Sequence, residues 1–409
     1  MKKLFIILTV VMLLFALVIS GCAQPTSAPS PAPTPTPAPT PEAKTFKIGV
    51  TLGLTGPGSQ HDLMYRDAAQ LCADWINNNG GVTVKGEKYL VELIFEDGKQ
   101  TPPGYVDAAT KLVHLDKVSF ITGCNIPVMA DSVSSVTEKE KVLYMAFKTA
   151  MVTPDKPYTF AGTYNHTSML PSLYDAMLEK YPAVKSVGYI VEDETGARIF
   201  SEVAQGIAKQ HGLTIVEPQD HPFEVKEYYP QWTKLISLNP DAVDMGVKMP
   251  DTASSCLKQG RELGYKGPMC AHTPADPHLI LNMIGKDYAT DFIYPSFDPY
   301  DTKNTPSSVQ EIIKLWESTY DYPIDPDGTE PWDCVWCLTQ AIEKAQSFDV
   351  DDVKNALQNM GTLETSRGTA KIGGLKTFGI NNMVFGPGPL MRFKDGNMEF
   401  IKWVDPWLP

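Results

Sequence analysis

The sequence lacks the short patterns that mark common catalytic and nucleotide-binding sites. Its 409 residues contain no Gly-x-Ser-x-Gly elbow, no His-Glu-x-x-His zinc motif, and no Walker or Gly-x-Gly-x-x-Gly loop after a strand. Hydrolase, zinc-protease and dinucleotide chemistry therefore have no motif to support them. We expect a protein that is not an enzyme, with no catalytic residues and no cofactor.

Positive charge is also scarce. Lys and Arg number 35 against 48 Asp and Glu, so the formal net charge is −13. A protein with this balance is repelled by nucleic acid and by anionic bilayers, and we expect neither as its main partner. A local cation in a cleft can still bind an anionic group.

Metal-binding patterns are missing as well. Cys334 and Cys337 have no second Cys or His pair at zinc-binding spacing, so no metal site is expected. Residues 325–330 (DPDGTE) lack the full spacing of a calcium loop and are predicted to form a turn. The sequence leaves disulfide pairing open, and buried free thiols are the simpler interpretation of the remaining cysteines.

The N-terminus has the parts of an export signal. Lys2 and Lys3 precede an apolar run at residues 4–19, and small residues follow directly before Cys22. This ending resembles the bacterial lipobox, which implies a signal peptide at 1–21 and a lipid attached to Cys22. The apolar run is short for a membrane span, which needs about 20 residues, and an uncleaved anchor helix is the alternative. Either way, we expect an extracytoplasmic protein attached to the cell membrane by its anchor alone.

Residues 22–45 are rich in Pro, Thr and Ala and carry no large apolar side chain before Phe46. Proline fixes φ and removes a backbone donor, so this stretch is predicted to be an extended tether. About 360 residues follow it, which is more than one typical core holds, and we expect two lobes. Strands alternate with helices in two successive runs, which predicts parallel sheets covered on both faces.

The segment at residues 47–82 (KIGVTLGLTGPGSQHDLMYRDAAQLCADWINNNGGV) is distinctive. It resembles the first strand, turn and helix of the leucine/isoleucine/valine-binding protein family, the type 1 periplasmic binding proteins of ABC transporters. The shared features are a strand ending in Thr-Gly-Pro, an Ala-bearing helix and an Ile-Asn-x-x-Gly-Gly exit. Similar segments recur at 120–123, 187–190 and 263–265, and the resemblance covers residues 46–409.

The resemblance implies an α/β fold of the type 1 periplasmic binding protein class, with two doubly wound parallel-sheet lobes joined by three hinge crossovers. The first lobe is expected at 46–161 with 297–372, and the second at 162–296 with 373–409. Crossovers are expected near 160–164, 294–297 and 372–378. The implied function is a monomeric solute-binding lipoprotein that serves the permease subunits of a branched-chain-amino-acid-type ABC importer. A ligand-sensing protein that presents its solute to a membrane receptor is the alternative.

Ligands of open parallel sheets bind at loops that leave the carboxyl ends of the strands. In the first lobe this placement predicts ligand contacts at Thr55, Gln60, His61, Tyr65, Asn125, Ile126, Pro127, Phe147, Lys148 and Thr149. In the second lobe it predicts contacts at Tyr164, Asn165, Glu192, Thr195, Lys248, Met249, His272 and Thr273.

The sequence departs from the family at the positions that hold a free amino acid. In the family, a Ser and a Thr of the first lobe hold the carboxylate, and an acidic residue of the second lobe holds the ammonium. The matching positions here fall near Pro127, Thr149 and His272. A buried ammonium without an anion is costly, so we expect a small carboxylate or amide with an apolar part rather than a standard α-amino acid. Lys148 is a candidate for its positive charge, with a solvated surface lysine as the alternative.

Overall fold

The computed structural model describes residues 44–56, 59–148, 150, 152–162, 169–193, 195–222, 225–246, 248, 250–272 and 276–406. The predicted signal peptide, Cys22 and nearly all of the predicted tether lie outside these residues. The first strand begins at Lys44 and so includes the last two residues of the predicted tether, because Lys44 already pairs with Tyr89 in the sheet.

Strands and helices alternate along most of the described chain. The strands are β1 Lys44–Leu52, β2 Val82–Val84, β3 Glu87–Asp97, β4 Phe120–Gly123, β5 Leu143–Ala146, β6 Thr159–Ala161, β7 Ser186–Glu192, β8 Thr214–Ile215, β9 Gln219–His221, β10 Ala242–Asp244, β11 Met269–Cys270, β12 Phe292–Tyr294, β13 Thr362–Thr365, β14 Gly368–Gly373, β15 Met383–Phe385, β16 Gly388–Lys394 and β17 Asn397–Val404.

The helices flank these strands. They are α1 Ser59–Asn78, α2 Pro102–His114, α3 Pro127–Glu140, α4 Leu170–Lys180, α5 Thr195–Gln210, α6 Tyr229–Ser237, α7 Pro250–Glu262, α8 Pro277–Ile284, α9 Ser307–Thr319, α10 Thr329–Ala345, α11 Val350–Asn359 and α12 Leu375–Phe378, with a 3-10 turn at Pro326–Gly328 before α10. Among the described helices, none combines the length and apolar character needed to cross a membrane.

Two sheets organise the fold. The first has the strand order β13-β14-β15-β6-β5-β4-β1-β3-β2, and its centre from β15 to β3 is parallel. The second has the order β17-β16-β12-β11-β10-β7-β8, with β9 also paired to β7, and is parallel from β12 to β8. Helices connect the parallel strands, as right-handed crossover units require. The carboxyl ends of the parallel strands in each sheet therefore lie along one edge.

Three segments pass between the sheets. The first runs from β6 to β7 and the second leaves β12, both close to the predicted positions. The third differs: β15 still belongs to the first sheet, so the chain crosses between β15 and β16 rather than near residues 372–378. Met383 pairs in parallel with Ala161, and this pairing keeps β15 in the first sheet.

Helices α1 and α10 cover one face of the first sheet and supply much of its core. Met64, Ala68, Cys72 and Ile76 are buried at helical spacing, as the sequence predicts. Trp75 of α1 packs against Trp332 of α10 with ring centroids 5.5 Å apart. The six described cysteines are all buried and free, distributed through the cores of both lobes.

Phe297 links the crossover segment to both sheets through aromatic contacts. Phe297 lies 5.4 Å from Trp403 of the second sheet and 5.4 Å below the Arg367 guanidinium beside β14 of the first. The Trp403 indole N–H also donates to the Asn304 carbonyl at 2.6 Å. These contacts join the two lobes through Phe297, Arg367 and Trp403.

Candidate functional site

The turn after β1 is held by Asp97 at the end of β3. The Asp97 carboxylate accepts hydrogen bonds from the Leu54 N–H (2.9 Å) and from the Thr55 hydroxyl (2.5 Å). Burial would raise the pKa of Asp97, but these bonds and others to nearby backbone N–H groups lower it below its usual value. Thr55, a predicted ligand contact, therefore has its hydroxyl engaged in shaping this turn.

A backbone reversal follows β4. Gly123 and Cys124 have φ angles of 128° and 61°, the left-handed region that glycine enters easily and cysteine rarely does. The reversal brings the Asn125 amide to His61 of α1, where it donates to Nδ1 at 3.3 Å. The His61 proton then resides on Nε2, which faces Asp325 Oδ2 at 3.7 Å and Asp327 Oδ2 at 4.0 Å.

Lys148, directly after β5, is buried against acidic residues. Its ammonium lies 2.6 Å from Asp327 Oδ2 and 3.8 Å from Glu330 Oε2. The Lys148 side chain is 9% exposed, the Asp327 side chain 12% and the Glu330 side chain not at all. The alternative of a solvated surface lysine therefore does not hold, and the positive charge of Lys148 is already neutralised inside the protein.

Arg367, at the turn between β13 and β14, contacts the same acidic segment. Its guanidinium donates to the Thr329 hydroxyl at 3.0 Å and to the Pro326 carbonyl at 2.8 Å. It also lies 3.9 Å from Glu330 Oε1. The start of α10 is thus fixed between a lysine and an arginine.

The crowded carboxyl groups differ in proton affinity. Burial, reinforced by Asp327, raises the pKa of Asp325 to about 7. Burial also raises the pKa of Glu330 well above its usual value. Burial acts on Asp327 in the same direction, but Lys148 outweighs it and holds the pKa of Asp327 below its usual value. Burial and the Lys148 charge lower the pKa of His61 to about 4, so His61 is neutral at pH 7.

Several polar atoms of this group have no hydrogen-bond partner within the described part of the chain. They are Tyr65 Oη, Asn125 Oδ1, Asp327 Oδ1 and both Glu330 carboxylate oxygens. Tyr65 is fully buried, with its ring 4.3 Å from that of His61 and 5.5 Å from that of Phe147. Unpaired buried oxygens are rare in proteins, and their concentration around α1 and α10 marks this region as a binding site candidate.

A second group of polar side chains lies at the corresponding edge of the second sheet. The Lys248 ammonium, after β10, donates to His221 Nε2 at 2.9 Å, and His221 Nδ1 contacts the Pro222 carbonyl at 2.9 Å. Burial lowers the pKa of Lys248, and burial together with Lys248 lowers the pKa of His221 to about 4. Glu192 at the end of β7 contributes a nearby negative charge.

His272 is engaged in a buried hydrogen-bond network of the second lobe. It is buried, and its Nε2 lies 2.7 Å from Asp244 Oδ2. The same carboxylate oxygen accepts a hydrogen bond from the Tyr174 hydroxyl at 2.6 Å, and the Tyr189 hydroxyl lies 2.9 Å from that of Tyr174. Burial would raise the pKa of Asp244, but His272 and Tyr174 lower it. The predicted contact at His272 is thus part of a buried network beneath the strand ends.

The other predicted residues fall into three groups. Phe147 is fully buried and packs on Tyr65 as a core residue. Gln60 and Pro127 are exposed in the first turns of α1 and α3, and Ile126 is the half-buried residue before α3. The residues that lie outside the description are Thr149, Tyr164, Asn165, Met249, Thr273 and the side chain of Thr195.

Sequence reasoning missed the acidic side of the first-lobe site. Asp325, Asp327 and Glu330 lie in the segment interpreted only as a turn, and they do form one: Asp325 Oδ1 accepts the N–H groups of Asp327 and Gly328 at 2.9 and 3.1 Å. Arg367 and His221 carried no sequence signal. Within the described ranges, no group of three or more His, Cys, Asp or Glu side chains has an arrangement that holds a metal ion.

Known proteins share the sequence pattern and the fold of this chain. A model of the periplasmic binding protein family matches residues 45–396. The fold resembles that of a leucine-binding protein from Thermotoga maritima, which is 18% identical with a TM-score of 0.71 over 88% of this chain and 99% of that one.

Two further structures show the same likeness. A branched-chain amino acid transporter substrate-binding protein from Streptococcus pneumoniae, solved with isoleucine, is 17% identical with a TM-score of 0.70 over 89% of this chain and 100% of that one. An ABC transporter substrate-binding protein from Sphaerobacter thermophilus is 17% identical with a TM-score of 0.73 over 89% and 99%. The predicted α/β fold class is confirmed.

Proposed function

Because the chain belongs to the periplasmic binding protein family, we propose that it captures a small solute between its two lobes and delivers it to an ABC importer of the branched-chain amino acid type. The N-terminal sequence supports a lipoprotein with a signal peptide at 1–21 and an acylated Cys22. The tether would let a monomeric body reach permease subunits in the same membrane.

One observation supports solute capture above all others. Each sheet carries buried or half-buried polar side chains at the carboxyl ends of its parallel strands: half-buried Asn125 and buried Lys148 in the first lobe, and half-buried Glu192 and buried Lys248 in the second. Ligands of open α/β sheets bind at this edge. Closure of two lobes about a hinge buries such a ligand and changes the outer surface that a transporter contacts.

The solute is proposed to contain a carboxylate or amide group beside an apolar part. Lys148 contacts a carboxylate, Asp327, whereas Lys248 donates to the neutral His221, and we assign Lys248 as the cation for an anionic or carbonyl oxygen. A charge-assisted hydrogen bond from Lys248 is of the strong kind, and the neutral His221 orients the ammonium.

Native mass spectrometry of the full-length protein, purified gently from its own source, tests the proposal. We expect one small molecule to co-purify, and the radius of gyration from small-angle scattering to fall when that molecule is added back to stripped protein. Scattering curves that stay identical across a broad metabolite library, with no compound co-purifying, would contradict solute capture. Conversion of the compound to a product would indicate an enzyme instead.

The membrane partner distinguishes transport from sensing. Chemical crosslinking in native membranes, with solute present, is expected to join the protein to permease subunits. Recovery of a kinase or a chemoreceptor in their place would favour the sensing alternative over the importer.

A further inference from the structure

We propose that the captured solute carries a protonated amine, and that Asp325 of the first lobe binds it together with Tyr65, Asn125 and Asp327. This inference rests on the proposed function, since it concerns the solute of the same site. It also reverses the polarity that the sequence resemblance implies, in which an acidic residue of the second lobe holds an ammonium.

Among the described acidic residues of the first-lobe site, one carboxyl group is partly exposed and forms no ion pair with a lysine or arginine. Lys148 is bound to Asp327 at 2.6 Å, and Arg367 faces Glu330 at 3.9 Å. Among the described residues, no lysine or arginine lies within 4 Å of the Asp325 carboxyl group, although the charge of Lys148 still acts on it; the neutral His61 lies 3.7 Å away. Asp325 is also the most exposed acid of the group, at 30%.

A carboxylate of the other lobe also acts electrostatically on Asp325. Asp276, which caps α8 by accepting the His278 N–H at 2.8 Å, adds to the negative field at Asp325. Two acidic groups from opposite lobes repel each other unless a cation lies between them. A cationic solute would therefore favour the approach of the lobes, whereas an anionic one would oppose it.

The unpartnered oxygens supply the independent observation. Tyr65 Oη is fully buried and has no hydrogen-bond partner within the described part of the chain, and the same holds for Asp327 Oδ1 and Asn125 Oδ1. An ammonium group has up to three N–H donors and no acceptor. The Asp327 and Asn125 oxygens can only accept, and the Tyr65 hydroxyl can accept as well as donate, so the donor-rich end of the solute fits here.

The aromatic surroundings favour the same charge. The rings of His61 and Tyr65 lie 4.3 Å apart, and the Lys148 ammonium already lies 5.9 Å from the centre of the Tyr65 ring. Aromatic faces attract cations in this distance range. In this proposal the first lobe binds the amine at one end of the solute, and Lys248 of the second lobe binds a carboxylate or amide at the other end.

Capture from a chemically treated extract tests the inference. Full-length protein is incubated with a metabolite extract of its own cells, and in parallel with the same extract after exhaustive acetylation, which removes the charge of primary and secondary amines. Bound compounds are identified by mass spectrometry. We expect a compound with a basic amine from the untreated extract, and at least tenfold less of any bound compound from the acetylated one.

Two variants assign the amine to this site, with calorimetry of the captured compound as the readout. Asp325→Asn keeps the capping bonds to the Asp327 and Gly328 N–H groups but removes the charge, and should weaken binding at least about tenfold. Asp349→Asn is the matched control, because Asp349 caps α11 with the same two-bond geometry and should bind as the wild type does.

Tyr65→Phe is the second variant. Because the Tyr65 hydroxyl has no partner within the described part of the chain, its loss should leave thermal stability unchanged and still weaken amine binding about fivefold. A captured compound without a basic amine, equal capture from both extracts, or an Asp325→Asn protein that binds as well as Asp349→Asn would overturn the inference while leaving solute capture standing. If neither extract yields a bound compound, the proposed function fails as well.

Discussion

Replacing Lys148 with methionine removes one charge from the first-lobe site and nearly preserves the volume of the side chain. The ammonium that lay 2.6 Å from Asp327 is lost, and three acidic residues, Asp325, Asp327 and Glu330, remain close together. Breaking a buried ion pair typically costs about 3–5 kcal/mol, because the remaining charge has no compensation. Both side chains of the pair are mostly buried, so we expect a loss of about 3 kcal/mol in the free energy of unfolding at pH 8.

The loss should depend on pH with a definite sign. In the wild type, the pKa of Asp327 lies below its usual value and that of Lys148 above, so the pair contributes fully between about pH 5 and pH 9. Without Lys148, the effect of burial on the pKa of Asp327 loses its main opposing charge, and we expect that pKa to rise above its unfolded value. Stability is then lost as the pH rises through that pKa, and the deficit should be smaller at pH 5 by about 1 kcal/mol or more.

Urea unfolding at pH 5 and pH 8 measures this deficit. Lys234→Met serves as the control, since Lys234 pairs with Glu217 at 2.9 Å on the surface with both side chains more than half exposed. That substitution should change stability by less than about 1 kcal/mol at either pH. A Lys148→Met protein that loses no more than Lys234→Met, or whose deficit is equal at the two pH values, would refute the reasoning.

Three other outcomes follow from the contacts. The pKa of Asp325 is raised to about 7, so the stability that protonated Asp325 contributes is present at low pH and is lost as the pH rises from about 4 to 7. Asp325→Asn should therefore gain stability relative to the wild type over that range, and urea unfolding at several pH values measures the gain. Asp333→Ala removes the buried acceptor of the Ser366 N–H (2.6 Å) and hydroxyl (2.9 Å), and should cost about 2 kcal/mol; a loss below about 0.5 kcal/mol in the same assay would be inconsistent with it. Thr101→Ala removes the cap that accepts the Gly104 N–H and should cost about 1 kcal/mol, while Thr110→Ala, inside the same helix, should cost less.

Local signals predicted the elements well. Proline at the first position placed α3 at Pro127–Glu140, and the glycine exit after Asn79 ended α1, where Gly80 and Gly81 adopt φ angles of 104° and 70°. The alternation of apolar strands and amphipathic helices was enough to predict parallel sheets. The third crossover was placed about ten residues too early, because the membership of β15 depends on its pairing with β6, more than 200 residues away in sequence.

The candidate site was only half predictable. The rule that ligand contacts follow strand ends predicted His61, Asn125, Lys148 and Lys248, and the structure places these residues near the two strand edges, while their contact with a ligand stays a prediction. It could not find Asp327, which precedes a helix and meets Lys148 across 179 positions. The rule also could not show that Lys148 is neutralised, since burial and ion pairing belong to contacts that a local pattern does not contain.

The sequence by itself determined the export signal pattern, the order of strands and helices, and the edge at which polar side chains gather, because each depends on residues near one another in the chain. Only the tertiary structure decided which charges remain available at that edge. Lys148 pairs with Asp327 and His272 with Asp244, which engages groups that the sequence alone shows as free, while Asp325 stays 30% exposed. The physical reason is that electrostatic energy depends on distance and burial in space, and both are set only when distant segments pack together.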